Sequence, residues 1–252
     1  GMHPRDMDMR GLTAGDVVRI KSRRGTLLTR IEVHAALRAG QVFLPMHWGA
    51  QFMSGPGVNV LTVNATDPFS RQPELKHAAV QVEKADLPYR LVAMRRFGET
   101  EDTALSELFS KLQPLLRQFD YATLSQVGRD RVVLTLRAYS ADPIAAELLD
   151  RIDAHLRMDD EARVMRYVDA RKSVEKSARI VGGEVEAVIL SGETAAQHWL
   201  KNMMLADAAA EAYLGRDQRI QLWESKYRFV KDLVTGEANG SRFGGNLMIR
   251  PA

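Results

Sequence analysis

Asp16-Val17-Val18-Arg19-Ile20-Lys21-Ser22-Arg23-Arg24-Gly25-Thr26-Leu27-Leu28-Thr29-Arg30-Ile31-Glu32-Val33 is the stretch on which the reading of the fold turns. Two runs rich in β-branched residues flank a basic turn that ends in glycine, the pattern of a β-hairpin. After the turn signal at Gly40 comes Gln41-Val42-Phe43-Leu44-Pro45-Met46-His47-Trp48-Gly49. Its apolar run is too unbroken for a strand with one wet face, so a strand buried on both sides is expected. Val58-Asn59-Val60-Leu61-Thr62 comes after a Gly55-Pro56-Gly57 loop, and a closing strand is expected at Ala78 to Val82. Short strands joined by loops of unequal length suggest a small closed barrel.

Working outward, 252 residues suffice for one large or two modest domains. With 45% hydrophobic and 27% charged residues the chain is ordinary for a globular protein. Cysteine is absent, which removes disulfides, thiolate nucleophiles and any cysteine-held zinc or iron–sulfur cluster from this chain. The six histidines show neither i, i+4 pairing nor HExxH spacing, so they give a helix-borne metal site no support. Thirty-five basic and 32 acidic side chains nearly cancel to +3. That mixture argues against a dedicated nucleic-acid binder, which clusters its cations. No apolar run has the length of a membrane span, and a cytoplasmic location is expected.

Several ordered blocks carry a resemblance: His3-Pro4-Arg5-Asp6, Leu12-Thr13-Ala14-Gly15-Asp16, Ser22-Arg23-Arg24-Gly25, Gly40 to Gly49, Val58 to Thr62, and Asp67-Pro68-Phe69-Ser70-Arg71-Gln72-Pro73-Glu74-Leu75-Lys76. Together they resemble the C-terminal domain of the molybdopterin-dinucleotide oxidoreductases, most closely the assimilatory nitrate reductases. The likeness implies a double-psi β-barrel, of the formate dehydrogenase and aspartate decarboxylase type, over residues 1–85. By the same likeness the chain starts after the first barrel strand. It further implies a molybdopterin guanine dinucleotide, two of which hold molybdenum in the full-length enzyme, and a role as its cofactor-holding C-terminal part.

The remainder reads as an α+β domain over residues 86–206 with a helical and Gly-rich extension at 207–252. A strand near Tyr89 to Phe97, a helix from Thr103 to Phe119 that Pro114 can kink, and strands at Tyr121 to Val127 and Arg131 to Tyr139 come first. Next come a helix opened by Asp142 as N-cap, strands near Val164 to Val168, Val174 to Val181 and Val185 to Leu190, and a helix from Thr194 to Ala206. This part resembles, more faintly, the segment after the barrel in assimilatory nitrate reductases.

The resemblance assigns cofactor contacts to Asn59 and Lys76, where the family has a binding asparagine and lysine. A carboxamide can donate and accept against a heterocycle edge, and a flexible ammonium suits a phosphate or pterin oxygen. His47 and Trp48 are placed by it toward the cofactor or the approach to molybdenum. Ser22 and Arg23 are expected to meet a pyrophosphate through backbone amides and a guanidinium, and Gln72 sits in a loop fixed by two prolines. Each has an ordinary reading beside it: a loop amide bonded to its own backbone, a solvated lysine, a packed indole, a basic turn in water. No nucleophile, paired carboxylates or phosphate loop is present at convincing spacing, so no catalytic residue is assigned. The implied partners are the upstream catalytic domains of the same enzyme and an electron-donor reductase. Nitrate is the expected substrate of the intact enzyme, with formate open as another. A second function stays open on the residues themselves, a non-catalytic interaction module that binds a protein or a small nucleotide.

Overall fold

The computed structural model describes residues 1–46, 48–74 and 77–205; His47, Leu75, Lys76 and the expected C-terminal extension fall outside the described residues. The chain divides into two compact units, Gly1–Leu87 with Leu116–Ala122, and Pro88–Leu115 with Thr123 onward.

In the first unit His3 caps helix α1 (Pro4–Asp8) by accepting from the Arg5 N–H at 3.2 Å, and proline occupies the first turn where its missing N–H costs nothing. Strands β1 (Val17–Lys21) and β2 (Thr26–Arg30) form the expected hairpin, and β3 (Gln81–Lys84) pairs antiparallel with the other edge of β1, giving the order β2-β1-β3. Cross-strand partners put Val18, Ile20, Leu27, Thr29 and Val82 on one face and Arg19, Lys21 and Leu28 on the other. Asp16 heads β1 and ties it to β3: its Oδ2 accepts from the Thr13 N–H at 2.9 Å, the Thr13 hydroxyl at 3.0 Å and Lys84 Nζ at 2.9 Å. Burial pushes the Asp16 carboxyl upward, but these hydrogen bonds and the Lys84 charge outweigh it and hold the group below its ordinary value.

Two expectations for this unit are corrected. Among its described residues Gln41 to Gly49 is no strand buried on both sides: only Val42 makes a β-bridge, to Met2, and Phe43 and Met46 are 55% and 40% exposed. Pro45 has no N–H for a ladder and restricts its neighbour, which stops the pairing after Phe43. Val58–Leu61 is a 3-10 helix. Gly57, at φ +80°, turns the chain so that Val60 N–H donates to the Gly57 carbonyl, and local bonding wins over β-propensity. The closing strand begins at Gln81, three residues later than expected.

The second unit is built on a six-stranded sheet in the order β5-β6-β4-β9-β8-β7. The strands are β4 (Tyr89–Phe97), β5 (Tyr121–Val127), β6 (Val132–Ser140), β7 (Val164–Asp169), β8 (Val174–Val181) and β9 (Glu184–Ser191). Helices α2 (Asp102–Leu112) and α3 (Ala146–His155) lie between them in sequence, and α4 (Gln197–Leu205) comes after β9. The path β4-α2-β5-β6-α3-β9, with β4 central between β6 and β9 and antiparallel to both, is the split βαβ arrangement of ferredoxin-like folds. The β7–β8 hairpin extends its β9 edge. Pro114 marks the point where α2 passes into a 3-10 helix at Gln113–Gln118, and α3 starts at Ala146 with Ala145, not Asp142, at its cap.

On one sheet face Leu200 and Met204 of α4 pack against Val92, Met94, Val188 and Leu190. On the opposite face Leu91, Ala93, Phe97, Leu134, Leu136 and Ile189 are buried, and charged side chains also link the sheet to α3 and the turn after it. Arg166 binds Asp153 of α3, and Arg179 donates to the Arg157 carbonyl and to Asp160. A bulge between Arg179 and Ile180 leaves Glu186 opposite no partner, and its carboxylate bridges Arg95 at 3.1 Å and Arg179 at 2.9 Å. Lys176, only 1% exposed, pairs with Glu193, whose other oxygen accepts from the Ala195 N–H ahead of α4.

Removing one partner of a buried ion pair costs more than removing both. Glu193→Ala is expected to lower stability by about 2 kcal/mol, and adding Lys176→Met to recover most of that, both read from denaturant unfolding. Because Asp16 titrates below its unfolded value, its stabilisation is present above about pH 4 and fades as the pH falls further. In Asp16→Asn the midpoint of unfolding is expected to depend less on pH between about 4 and 2 than in the parent chain.

Candidate functional site

The first unit brings together three of the segments from which cofactor contacts are expected. The turn Ser22–Gly25 is held from within: Ser22 N–H donates to the Gly25 carbonyl at 2.9 Å, and the Ser22 hydroxyl accepts from the N–H groups of Arg24 at 3.0 Å and Gly25 at 3.3 Å. Ser22 is buried while Arg23 and Arg24 are exposed, so the turn presents two guanidinium groups and keeps its serine as a fastener. Arg19 and Lys21 precede Arg23 at spacing two on the exposed face of β1, so the cations form a line along the strand.

Gly25 packs directly on the 3-10 helix that carries Asn59. A β-carbon at Gly25 would stand 2.8 Å from the Val60 carbonyl oxygen and nearer still to a Val60 methyl. At the other end of that helix a β-carbon on Gly57 would stand 2.9 Å from the Trp48 carbonyl oxygen, and Gly57 already has a left-handed φ of +80°. The two glycines therefore let the Ser22–Gly25 turn and the Trp48–Gly49 backbone approach the Val58–Leu61 helix from opposite ends. Asn59 lies on the exposed side of that helix, its carbonyl used by the Thr62 hydroxyl at 2.9 Å. Trp48 is 39% exposed and meets Phe52 edge to face, with ring centroids 6.3 Å apart. Ser54 exchanges two bonds with Ala122, N–H to carbonyl and N–H to hydroxyl, each at 2.9 Å, which pins the chain between Trp48 and Gly57.

Gln72 stands apart in a loop that closes on itself. Asp67 Oδ1 accepts from the N–H groups of Ser70 at 2.7 Å and Phe69 at 3.0 Å, Asp67 N–H donates to the Gln72 carbonyl, and Gln72 N–H reaches the Ser70 hydroxyl at 3.3 Å. The Ser70 backbone bond, with the Ser70 and Phe69 contacts beside it, holds Asp67 below the ordinary carboxylate value. Nothing described brings Gln72 to the three converging segments. His47 and Lys76 lie outside the described residues. The packing of Gly57 on Trp48 is not foreseeable from residue types; its one trace in the sequence is the Gly55-Pro56-Gly57 triplet, which signals a tight turn but not its neighbour.

The donor set suits a phosphate-bearing heterocyclic ligand. Guanidinium groups match phosphate oxygens with paired donors, a carboxamide matches a ring edge, and an indole face takes a flat ring. Among the described residues no group of three or more histidines and carboxylates is arranged to hold a metal ion.

Comparison with known proteins places the same region. Residues 1–79 match the family described as molydopterin dinucleotide binding domain. A nitrate reductase from Klebsiella oxytoca is 37% identical over 79 residues, which are 31% of this chain and 9% of that protein. The matched stretch thus spans less than a tenth of the relative's length. No solved structure matches the chain. Residues 1–79 are a molybdopterin dinucleotide-binding region by sequence, in agreement with the resemblance carried by the ordered blocks.

Gly25→Ala is expected to destabilise the first unit by about 1–3 kcal/mol, because the added methyl meets a backbone carbonyl as well as a side chain. Val60→Ala in the same chain removes only the side-chain clash, so thermal unfolding of the double variant should stay below that of Val60→Ala alone.

Proposed function

We propose that the first unit holds the dinucleotide of a molybdenum oxidoreductase, a nitrate reductase of the assimilatory kind, with guanine as the nucleotide base. The observation that carries the reading is the convergence of Ser22–Gly25, Trp48–Gly49 and Val58–Leu61 inside the stretch that matches a dinucleotide-binding family. Arg23 and Arg24 bind the pyrophosphate, with Arg19 and Lys21 extending the positive line. Ser22 fixes the turn that aims them. Asn59 takes a heterocycle edge, and Trp48 covers a ring face and keeps water from it; His47, Gln72 and Lys76 are further candidates by the resemblance alone. The bound cofactor supplies the molybdenum at which the substrate is reduced. Everything this chain does is binding, orientation and exclusion of water, and its partners are the catalytic domains of the same enzyme, supplied with electrons by a reductase.

GDP, which carries guanine and a pyrophosphate, is the direct probe. Titrated into the isotope-labelled chain, it should shift the amide signals of Arg23, Arg24, Gly25, Gly49 and Asn59 together. Arg23→Ala should weaken it by about tenfold or more and Asn59→Ala by about three- to tenfold, the losses of a charge-assisted and a neutral hydrogen bond. Shifts confined to other residues, or equal affinity in both variants, would remove these side chains from the site.

A further inference from the structure

We propose that the outer edge of β7 is a pairing surface for a second copy of this chain, joining two six-stranded sheets across a two-fold axis at Arg166. The surface belongs to the second unit and takes nothing from the dinucleotide reading, so each stands or falls by itself.

The backbone of β7 fixes which groups face outward. Ile180 N–H donates to the Arg163 carbonyl at 2.8 Å while Val164 stands opposite Arg179, so Val164 and Arg179 form a pair that exchanges no bonds of its own. Alternation then gives the N–H and carbonyl groups of Met165, Tyr167 and Asp169 to β8 and turns those of Val164, Arg166 and Val168 away from it. Among the described residues no strand pairs with that side. The devices that keep an edge from pairing are lacking: β7 contains neither proline nor lysine, and its register against β8 runs without a bulge. Its cation, Arg166, is drawn back onto its own molecule by Asp153 and Glu175. Val168, an apolar side chain on this edge, is 54% exposed.

The occupant follows from the charges along the edge. A second β7 laid antiparallel must set outward-facing residues opposite outward-facing residues, which leaves only a few registers. Centred on Arg166, Val164 of each copy faces Val168 of the other, Met165 faces Tyr167, and Arg163 faces Asp169. Centred on Met165, Glu161 would face Asp169, and centred on Tyr167, Arg163 would face Arg171. Like charges directly opposite are destabilising, so the register centred on Arg166 wins. Arg163 has donors to spare, because its carboxylate partner Asp160, at 3.2 Å, is shared with Arg179. Asp169 Oδ1 accepts from the N–H groups of Arg171 at 3.1 Å and Lys172 at 3.3 Å, which leaves Oδ2 to meet Arg163 of the second copy. The two Arg166 side chains meet at the axis, where each guanidinium already lies between two carboxylates. One strand supplies both halves of the contact, so the pairing closes on itself as an isologous dimer.

Sedimentation equilibrium of the whole chain should show a monomer–dimer equilibrium with Kd at or below about 100 μM. Because the chain has no cysteine, single cysteine substitutions read the register directly. A mixture of Val164→Cys and Val168→Cys chains should form a disulfide-linked dimer under mild oxidation, since facing residues have Cα atoms about 5.5 Å apart. Neither variant alone should do so, its own cysteines lying about 13 Å apart along the paired strands. Val168→Pro removes an outward donor while keeping the bonds to β8, and Arg163→Glu sets two carboxylates opposite each other. Each should weaken the dimer at least fivefold with the circular dichroism unchanged. If Val168→Pro disturbs the fold, the mixed-cysteine experiment decides alone. A chain that stays monomeric at about 300 μM would overturn the proposal, as would cross-links that form as readily in either variant alone as in the mixture. So would Val164, Arg166 and Val168 amides already protected from exchange in the monomer, the sign of a cover from the same chain.

Discussion

Two backbone contacts that exclude a β-carbon hold the candidate site together. Gly25 lies on Val60 and Gly57 lies on Trp48, each closer than ordinary van der Waals separation permits a side chain. Side-chain hydrogen bonds can swing with a rotamer, but a glycine pressed on a carbonyl fixes one stretch of main chain against another. The consequence is that an exposed carboxamide, two guanidinium groups and an indole are presented from positions up to 36 apart in sequence, Arg23 and Asn59 being the extremes. A ligand that spans phosphate and heterocycle needs such fixed, unlike contacts, since ordering them on binding would consume affinity.

The second unit solves a different problem. Its sheet has an apolar face under α4, and on the opposite face Arg95 and Arg179 are buried among apolar side chains such as Leu91, Phe97, Leu134 and Ile189. Buried arginines are tolerated because each finds a carboxylate or a carbonyl, and the bulge at Glu186 serves two of them with one side chain. Such a network contributes little net stability compared with apolar packing, but it permits few alternative registers for β8 against β9. Among its described residues the unit carries no feature that ties it to the dinucleotide, and its contribution is its own ordered sheet.

Much of this architecture is legible in the sequence, for physical reasons that differ along the chain. In the second unit strands of seven to nine residues flanked by glycine turns, such as β5 and β6 around Gly128, declare themselves by composition, and their bounds fall within a residue or two of those expected. Asp142 misleads because a good capping residue sits four positions before the first helical residue, and Pro143 biases it away from the helical region. In the first unit Gln41 to Gly49 has the composition of a buried strand but, among its described residues, only one bridge, since Pro45 ends the ladder and hydrophobicity alone cannot say whether a partner strand is at hand. Val58–Leu61 has strand-forming residues and becomes a 3-10 helix because Gly57 dictates the turn. For the site, the resemblance named Asn59 and Trp48, and the basic turn named Ser22 and Arg23, each with an ordinary reading beside it. Their meeting point depends on tertiary glycine contacts, which leave no periodic trace.

The central claim is that the Ser22–Gly25 turn and the Trp48–Gly49 backbone close on the Val58–Leu61 helix from its two ends. Proton–proton Overhauser contacts in the labelled chain measure this directly. The account predicts strong contacts from the Gly25 α-protons to the Val60 methyls and from the Gly57 α-protons to those of Gly49. Gly25 and Gly57 α-protons that show only contacts to their chain neighbours would contradict it.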